Sequence, residues 1–567
     1  MKQTENAPAA AQQRPRRQTI LIAIALIVLL AACAYRASLG ISFVDDAHYP
    51  ALTLRLAEGA RPFVDEMTTQ ALGFLLAVPF AKAWSALFGL TGFVLALRLF
   101  YVAVAAVVAA LVYRLLKPSF GALPAALGAI APCLVPPYNV FGVSYNTAAM
   151  LGFMLAVALC VASIRDDSRR LAAAAGASAA FAAISYPPLV IVAAVLALAY
   201  AIVARSRRLT LAALGGAVAV VAVFCIWLLS IARIADIRHA LDYASTVWSG
   251  YRSPAEKLTV LLRFARRALV TRWTLPAWLL GAVAALPFLP RRVRSVSALL
   301  VPLACLIPAG RVLASGGTLE QFGTNGAAYL ILLTATATLP ALATAWAEKD
   351  ADTLRGLAIA LPTAIVGYFV VAYSTSSGWL SAVPVIALAP LAVIVLPSWC
   401  RLVADGEAGR TLAAVGLVGA LVALLFSTSF NDSPPLRLRH RFTSGALAGI
   451  ATTPTRAADI ERIAAAGERW SSAEDKVLVV GRPLGYLLVP GTAHTNAVWL
   501  VTGPSDRYTV AYFDSAGPPD VVYINRSVIT SAGGLYAAAA KDPLVAYLVR
   551  DYDIVETFDP FAVFVRR

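Results

Sequence analysis

The sequence predicts a polytopic α-helical membrane protein with about thirteen transmembrane helices and a small C-terminal α/β domain. Three observations lead to this fold class. Of the 567 residues, 60% are hydrophobic and 14% are charged, against roughly a quarter charged in a soluble domain. Apolar runs long enough to cross a ~30 Å hydrocarbon layer recur along the chain. Basic residues cluster in the short loops between these runs, as they do in membrane proteins.

About thirteen segments have the length and apolar character of transmembrane helices when the N-terminus is placed in the cytoplasm. In chain order these segments are 18–38, 93–113, 121–138, 147–164, 171–186, 188–204, 211–232, 273–290, 297–312, 326–346, 355–373, 380–398 and 411–429.

The loops that this placement puts inside carry most of the clustered basic residues, which is the positive-inside pattern. They hold Arg114, Lys117, Arg165, Arg169, Arg170, Arg205, Arg207, Arg208, Arg291, Arg292, Arg294, Lys349, Arg401 and Arg410. The pattern predicts a multi-pass membrane protein with a cytoplasmic N-terminus and an extracytoplasmic C-terminal domain. It also accounts for the net charge of +16 without nucleic acid, because no basic domain stands apart from the spans.

One further apolar segment, Gln70–Leu90, is ambiguous. Counting it as a span would reverse every later loop and place most arginine clusters outside. Lys82 and Trp84 within it suit an interfacial helix better than the centre of a bilayer. We therefore expect this segment to lie along the external face without crossing the membrane.

The chain is thus expected to divide into three parts. Residues 1–17 form a cytoplasmic tail, and residues 18–430 form the transmembrane domain with long external loops at 40–92 and 233–272. Residues 431–567 form the C-terminal α/β domain. In that domain the residue patterns predict strands and one helix. The predicted strands are Lys476–Gly481, Tyr508–Phe513, Val521–Ile524 and Ala562–Arg566, and the predicted helix is Asp542–Arg550.

The most informative local sequence is Phe43-Val44-Asp45-Asp46-Ala47-His48-Tyr49, just after the first span. Two adjacent carboxylates beside an apolar span are costly unless water, a partner or a ligand meets them. A solvated helix start is one interpretation. The other is an acid/base site, because the same external loop holds a second acidic pair, Asp65 and Glu66, followed by Gln70.

With these residues the layout resembles the GT-C glycosyltransferases. That family includes protein O-mannosyltransferases, aminoarabinose transferases and the catalytic subunit of oligosaccharyltransferase. The resemblance rests on a carboxylate just after the first span, a first external loop with a lateral helix, many further spans and an extracytoplasmic C-terminal domain. It implies transfer of a sugar from a polyprenyl-phosphate carrier to an envelope glycan, lipid or protein acceptor, as a step of cell envelope biogenesis.

The resemblance also implies roles for particular residues. Asp45 or Asp46 matches the essential acid of the family's first loop, which activates or orients the acceptor nucleophile. Substrate-binding residues are expected in the same loop and in the next external loop: His48, Tyr49, Asp65, Glu66, Gln70, Tyr138, Asn139, Tyr145 and Asn146.

The second of these loops departs from the family pattern. Many members carry an acid before the fourth span, where this chain has Asn139 and Asn146. Two neutral amides bind Mg²⁺ or Mn²⁺ poorly, so we expect no metal site and metal-independent chemistry. The six cysteines lie in or beside apolar runs, and no Cys/His metal spacing is present.

The 233–272 loop is unusually rich in arginine for an external loop. Arg263, Arg266 and Arg267 are spaced to share one face of a helix. Two anionic partners fit them. One is the phosphate of the lipid-linked leaving group, for which arginine offers bidentate donors. The other is the headgroups of anionic membrane lipids.

The function predicted from these observations is sugar transfer at the outer face of the inner membrane. A transporter or lipid flippase is an alternative. Against it, most predicted spans lack ionisable residues at mid-depth, and no inverted repeat is visible. A non-catalytic envelope assembly protein is a further alternative, which dispensable first-loop acids would favour.

Overall fold

The computed structural model describes residues 10–249, 253–315, 326–374, 385–403, 406–429, 431–500, 503 and 506–567. The first part of the chain is almost entirely helical. In order, its helices are α1 (Ala10–Ala37), α2 (Asp45–Ala57), α3 (Val78–Phe88), α4 (Phe93–Phe120), α5 (Ala122–Ile130), α6 (Tyr145–Arg165), α7 (Arg169–Ser185), α8 (Val190–Ala204), α9 (Arg207–Ile231), α10 (Ile234–Ser249), α11 (Pro254–Leu269), α12 (Leu275–Ala285), α13 (Arg291–Ala304), α14 (Ile307–Ala314), α15 (Gly326–Ala347), α16 (Ala351–Ser374), α17 (Val385–Val403) and α18 (Glu407–Leu425).

Among the described residues, nine helices are long and apolar enough to cross a membrane. They include α4, α6, α9 and α16 to α18, α8 with the turn before it, α13 together with α14, and α15 from Ala327 onward. By length and composition the chain is a multi-pass membrane protein. The remaining predicted spans fall on shorter apolar helices, which are α1 from Ile24, α5 with the turn after it, and α12. The predicted span 171–186 falls on α7, which has 17 residues.

The ambiguous segment at 70–90 does not form one long helix. It consists of a 3-10 helix, Thr69–Phe74, followed by α3 with 11 residues. At 1.5 Å per residue, α3 is about 16 Å long, roughly half of what a crossing needs. The expectation that this segment does not span the membrane agrees with that length.

The C-terminal domain contains the helices α19 (Pro454–Trp470), α20 (Asp506–Ala516), α21 (Arg526–Ser531), α22 (Leu535–Ala539) and α23 (Pro543–Asp551). Its strands are β1 (His440–Arg441), β2 (Ala451–Thr452), β3 (Lys476–Val480), β4 (Thr492–Ala493), β5 (Val521–Asn525), β6 (Tyr552–Phe558) and β7 (Phe561–Arg566). Five strands form one sheet in the order β4-β3-β5-β7-β6, in which β3 is parallel to β4 and β5 while β7 is antiparallel to its neighbours. The predicted α/β character of this domain is confirmed.

One predicted strand in this domain is wrong. Tyr508–Phe513 is rich in residues that favour strands, but it lies in helix α20. Thr509 and Phe513, one turn apart on this helix, are both buried, and Phe513 belongs to the apolar core between the sheet and α23. The helical spacing of these buried positions satisfies the core, so tertiary packing overrides the local preference.

The C-terminal domain is hydrogen-bonded to the segment that follows α1. The Gly40 amide donates to the carbonyl of Ala451 at 2.8 Å, and the Ala451 amide donates to the carbonyl of Ser38 at 2.8 Å. Helix α2 then packs against α3 and against a 3-10 helix of the C-terminal domain, Pro483–Leu487. This arrangement holds the N-terminus of α2 between the helical part and the C-terminal domain.

Candidate active site

Asp45 and Asp46 are the first two residues of α2, and their side chains have different surroundings. The Asp46 carboxylate accepts a hydrogen bond from Nη2 of Arg98 at 2.7 Å, and both side chains are buried. Arg98 also donates to the carbonyl oxygens of Ala37 at 2.8 Å and Gly40 at 2.9 Å. Asp46 therefore ties the start of α2 to α4 and to the end of α1, and its charge is neutralised.

The Asp45 carboxylate has no ion-pair partner and no hydrogen bond from another residue among the described ones; it accepts only from its own backbone amide, and its side chain is partly buried. Burial, and secondly the negative charge of Asp46, raise the pKa of Asp45 to about 7. A carboxylate with this pKa can accept a proton from a substrate near neutral pH, which is the property of a general base.

Two tyrosines lie close enough to Asp45 to be affected by its charge, and an amide contacts one of them. Tyr49 lies one helical turn further along α2, and its hydroxyl accepts a long hydrogen bond from Nδ2 of Asn146 at 3.5 Å. Oδ1 of Asn146 is buried and has no partner among the described residues. Tyr145 is the first residue of α6, and its hydroxyl lies close enough to Asp45 to be affected by the charge of that carboxylate. The structure thus brings four of the predicted site residues together.

The close approach of two chain segments holds Tyr145 in this place. Ser144 caps α6, with reciprocal hydrogen bonds to Thr147 that satisfy amides of the first turn. Gly73 lies directly against the backbone of Tyr145, and a Cβ atom at position 73 would overlap it. Only glycine permits the 3-10 helix of the first loop to pack this closely on the start of α6.

His48 is packed in an aromatic cage. The centroid of its ring lies 5.1 Å from that of Trp499, 5.7 Å from Phe74 and 6.3 Å from Tyr49. Burial lowers the pKa of His48 to about 3, so the imidazole is neutral. Neither ring nitrogen has a hydrogen-bond partner among the described residues.

The second acidic pair of the first loop is engaged in contacts within the protein. Glu66 is fully buried, and it accepts hydrogen bonds from Arg55 at 3.1 Å, from Thr68 Oγ1 at 2.6 Å and from the amide of Val498 at 2.9 Å. It therefore joins the first loop to the C-terminal domain. Asp65 pairs with Arg61 at 3.0 Å on the surface.

Gln70 and Asn139 lie at the edges of the site. Gln70 is half-buried in the 3-10 helix that packs on α2 and α6. Tyr138 and Asn139 both have left-handed backbones, with φ of 60° and 57°. Nδ2 of Asn139 donates to Thr428 at 2.7 Å. Asn139 lines a small polar cavity of about 10 Å³ with Asp46 and Arg98, so it adjoins Asp46.

The predicted basic face lies on α11. Arg263 and Arg266 are exposed, whereas the side chain of Arg267 lies outside the described residues. Helix α11 begins with a capping box between Ser253 and Glu256 and packs near the C-terminal end of α16.

A row of tyrosines joins the neighbourhood of Asp45 to α11. The Tyr145 and Tyr186 rings are 5.1 Å apart, and the Tyr186 hydroxyl lies 2.7 Å from Oγ of Ser374 at the end of α16. The ammonium of Lys257 on α11 lies 5.6 Å from the ring centroid of Tyr373. Asp45 and the basic helix are therefore at the same end of the helical part.

The sequence analysis missed Arg98 and Trp499. Arg98 had a usable signal, because a lone arginine at the start of an apolar run needs a partner inside the protein. Trp499 had none, because it approaches His48 only through the docking of the C-terminal domain. No group of three or more His, Cys, Asp or Glu side chains within the described ranges could hold a metal ion. The expectation of metal-independent chemistry stays a prediction.

No family model and no curated protein matches this sequence. Solved structures that resemble it include ArnT from Cupriavidus metallidurans bound to undecaprenyl phosphate, with 14% identity, a TM-score of 0.41 and coverage of 96% of this chain and 97% of that one. The apo state of the same ArnT has 14% identity and a TM-score of 0.41, over 97% and 98% of the two chains.

A third similar structure is the oligosaccharyltransferase of Archaeoglobus fulgidus tethered to an acceptor peptide containing an NVT sequon. It has 12% identity and a TM-score of 0.40, over 95% of this chain and 74% of that one. Both enzymes are GT-C glycosyltransferases, the family that the sequence resembles. A likeness of this degree assigns neither an activity nor a residue role to the present chain.

Proposed function

We propose that this protein is a glycosyltransferase that moves a sugar from a polyprenyl-phosphate carrier to an envelope acceptor at the outer face of a bacterial inner membrane. The observation that carries the proposal is the contrast between the two acids at the start of α2. Asp46 is neutralised by Arg98, whereas Asp45 is half-buried, unpaired among the described residues and has a pKa near neutrality.

In the proposed step, Asp45 accepts the proton of an acceptor hydroxyl or amine as that group attacks the anomeric carbon of the donor sugar. The bond between the sugar and the carrier phosphate breaks, and the phosphate leaves with the bonding electron pair. Arg263, Arg266 and Arg267 of α11 stabilise the charge that develops on this phosphate. Tyr49, Tyr145 and Asn146 are the residues that would orient the substrates.

The proposal assigns different roles to the two acids. Asp45 is the catalytic base, and Asp46 is a positioning residue that holds the first turn of α2 through Arg98. Glu66 holds the C-terminal domain against the first loop, so its contribution to substrate binding is indirect.

The test is sugar transfer by purified membranes containing Asp45→Asn or Asp46→Asn protein. We expect Asp45→Asn to lose on the order of 10²- to 10⁴-fold in rate without loss of folded protein, because a general base contributes about that much. Asp46→Asn leaves the buried charge of Arg98 without its partner and destabilises the fold, by about 3–5 kcal/mol.

Asp167→Asn is the matched control, because among the described residues Asp167 pairs only with Arg208, at 3.5 Å on the surface. Its transfer rate should equal that of the unaltered protein. Full transfer by both Asp45→Asn and Asp46→Asn would remove the central claim and favour an assembly or transport role.

We further propose that the reaction needs no divalent metal. The carboxylate of Asp46 is already occupied by Arg98, and the neighbouring loop supplies the neutral amides of Asn139 and Asn146. A single remaining carboxylate is a poor ligand set for Mg²⁺ or Mn²⁺. Activity should therefore survive dialysis against EDTA, and a loss of activity that added Mn²⁺ restores would contradict this.

A further inference from the structure

Two arginines of the C-terminal domain lie against Phe43, two residues before Asp45. The guanidinium carbon of Arg482 is 5.2 Å from the centroid of the Phe43 ring, and that of Arg456 is 5.5 Å from it. The amide of Leu484 also donates to the carbonyl of Phe43 at 3.3 Å. Because two peptide units separate Phe43 from Asp45, their Cα atoms are within about 7 Å of each other.

The two arginines differ in their partners. Nη1 of Arg456 donates to the carbonyl of Ile41 at 2.7 Å, and its Nε lies 3.8 Å from Oδ1 of Asp432. The side chain of Arg482 forms neither a hydrogen bond nor an ion pair within the described part of the chain, and its Nε is shielded from solvent. An N–H of a charged group that is buried without an acceptor is unfavourable, and native structures rarely keep one.

The charges around Arg482 reinforce this observation. Burial lowers the pKa of Arg482, and the nearby charge of Arg456 lowers it further, against the opposing effect of Asp559. Both guanidinium groups thus contact the same aromatic ring, and Arg482 lacks a counter-ion within 4 Å among the described side chains. An oxyanion bound beside Arg482 would supply the missing acceptor, and its charge would offset the repulsion between the two arginines.

We infer that Arg482, Arg456 and Phe43 form a binding site for an oxyanion of the phosphate class that belongs to the acceptor. The planar guanidinium groups offer paired N–H donors that match phosphate oxygens. Both arginines belong to the C-terminal domain, whereas the arginines proposed for the leaving phosphate lie on α11 in the helical part. One oxyanion site on the C-terminal domain and another on α11 suit an anionic acceptor and a donor phosphate.

The assignment of this oxyanion to the acceptor rests on the proposed function, which it deepens. It names the acceptor as an anionic molecule whose phosphate-class group is bound a few ångströms from the attacking hydroxyl or amine. The existence of the oxyanion site itself can be measured without sugar transfer.

The first experiment measures the binding of inorganic phosphate to the full-length protein in detergent, by the broadening of its ³¹P resonance. We expect Arg482→Gln to weaken binding about tenfold or more, as expected for the loss of a charge-assisted hydrogen bond. Arg550→Gln is the matched control, because it removes the same charge from an exposed arginine of the same domain. Equal binding by Arg482→Gln and the unaltered protein would overturn the inference.

The second experiment distinguishes the two sources of phosphate. Arg482→Gln should raise the KM for the acceptor while leaving the affinity for undecaprenyl phosphate in phosphatidylcholine nanodiscs unchanged. Weaker binding of undecaprenyl phosphate by this variant would assign the site to the donor and overturn the acceptor assignment. Asp45→Asn should bind inorganic phosphate at least as tightly as the unaltered protein, because a nearby negative charge is removed. Full sugar transfer by Asp45→Asn would count against the proposed function alone.

Discussion

At the scale of single residues, the chemistry of the first loop depends on which partner each carboxylate has. Asp46 and Glu66 are buried acids, and each is paired with an arginine; Glu66 also accepts hydrogen bonds from Thr68 and Val498. Asp45 has no such compensation among the described residues, so burial raises its pKa instead of being offset. An uncompensated acid of this kind destabilises the fold and is found where function requires it.

This imbalance predicts how stability depends on pH. Because the pKa of Asp45 is about 7 in the folded protein and ~3.9 in the unfolded chain, the folded state is favoured when Asp45 is protonated. The destabilisation is absent below about pH 4, grows as the pH rises and is complete above about pH 7. Three pKa units correspond to ~4 kcal/mol, which partial solvent access to this side chain lowers to about 1–2 kcal/mol.

Asp45→Asn should therefore raise the apparent Tm at pH 8 and leave it unchanged at pH 4, as measured by thermal unfolding in detergent. The unaltered protein should also gain transfer activity as the pH rises through 7, because only the ionised carboxylate accepts a proton. Lower stability of Asp45→Asn at pH 8 would show that the Asp45 charge has a partner that stabilises it.

At the scale of elements, α2 and α11 contribute in different ways. Every residue of α2 after Asp45 is buried, because the helical part and the C-terminal domain enclose it from both sides. Helix α2 is therefore a rigid support for Asp45. Helix α11 exposes Leu258 and Leu262 together with Arg263 and Arg266. Exposed apolar and basic side chains on one helix are typical of helices that lie at a membrane surface.

The double variant Arg263→Gln/Arg266→Gln should separate the two interpretations of this basic face. If the arginines bind the leaving phosphate, transfer should fall on the order of tenfold per lost charge-assisted contact, even in zwitterionic phosphatidylcholine nanodiscs. Arg550→Gln serves again as the control. A defect that appears only with anionic lipids would identify lipid headgroups as the partner and contradict the phosphate role.

At the scale of the whole molecule, burial distinguishes central helices from peripheral ones. In the apolar stretch of α17, 94% of the residues are buried, and in that of α6 the share is 89%. In α9 only 6% of the residues are buried. Helices α6 and α17 therefore form the centre of the bundle, and α9 is left for lipid to cover. Because α6 begins at Tyr145, the centre of the bundle also positions the candidate site.

The predicted topology can be tested with single cysteines and a membrane-impermeant maleimide. Lys82→Cys on α3 and Ser531→Cys in the C-terminal domain are exposed positions that should react from outside intact spheroplasts. Arg170→Cys, between α6 and α7, should react only after permeabilisation. Reaction of Arg170→Cys in intact cells, or protection of Lys82→Cys, would reverse the assignment of the sides and make 70–90 a span.

The sequence alone determined the apolar helices and the α/β character of the C-terminal domain, and it singled out the first external loop as the candidate site. These features follow from hydropathy, length and charge within one stretch of chain, so local patterns predict them. The exception is Tyr508–Phe513, which forms a helix because the side chains that bury it belong to other segments of the chain.

Only the tertiary structure decided which acid of the first pair is free. The partner of Asp46 is 52 positions away, and the amide that binds Glu66 is 432 positions away. The pairing of Arg456 and Arg482 on Phe43 likewise depends on how the C-terminal domain docks on the end of α1. No local pattern encodes such contacts, because their free energy depends on burial and proximity that exist only after the chain has folded.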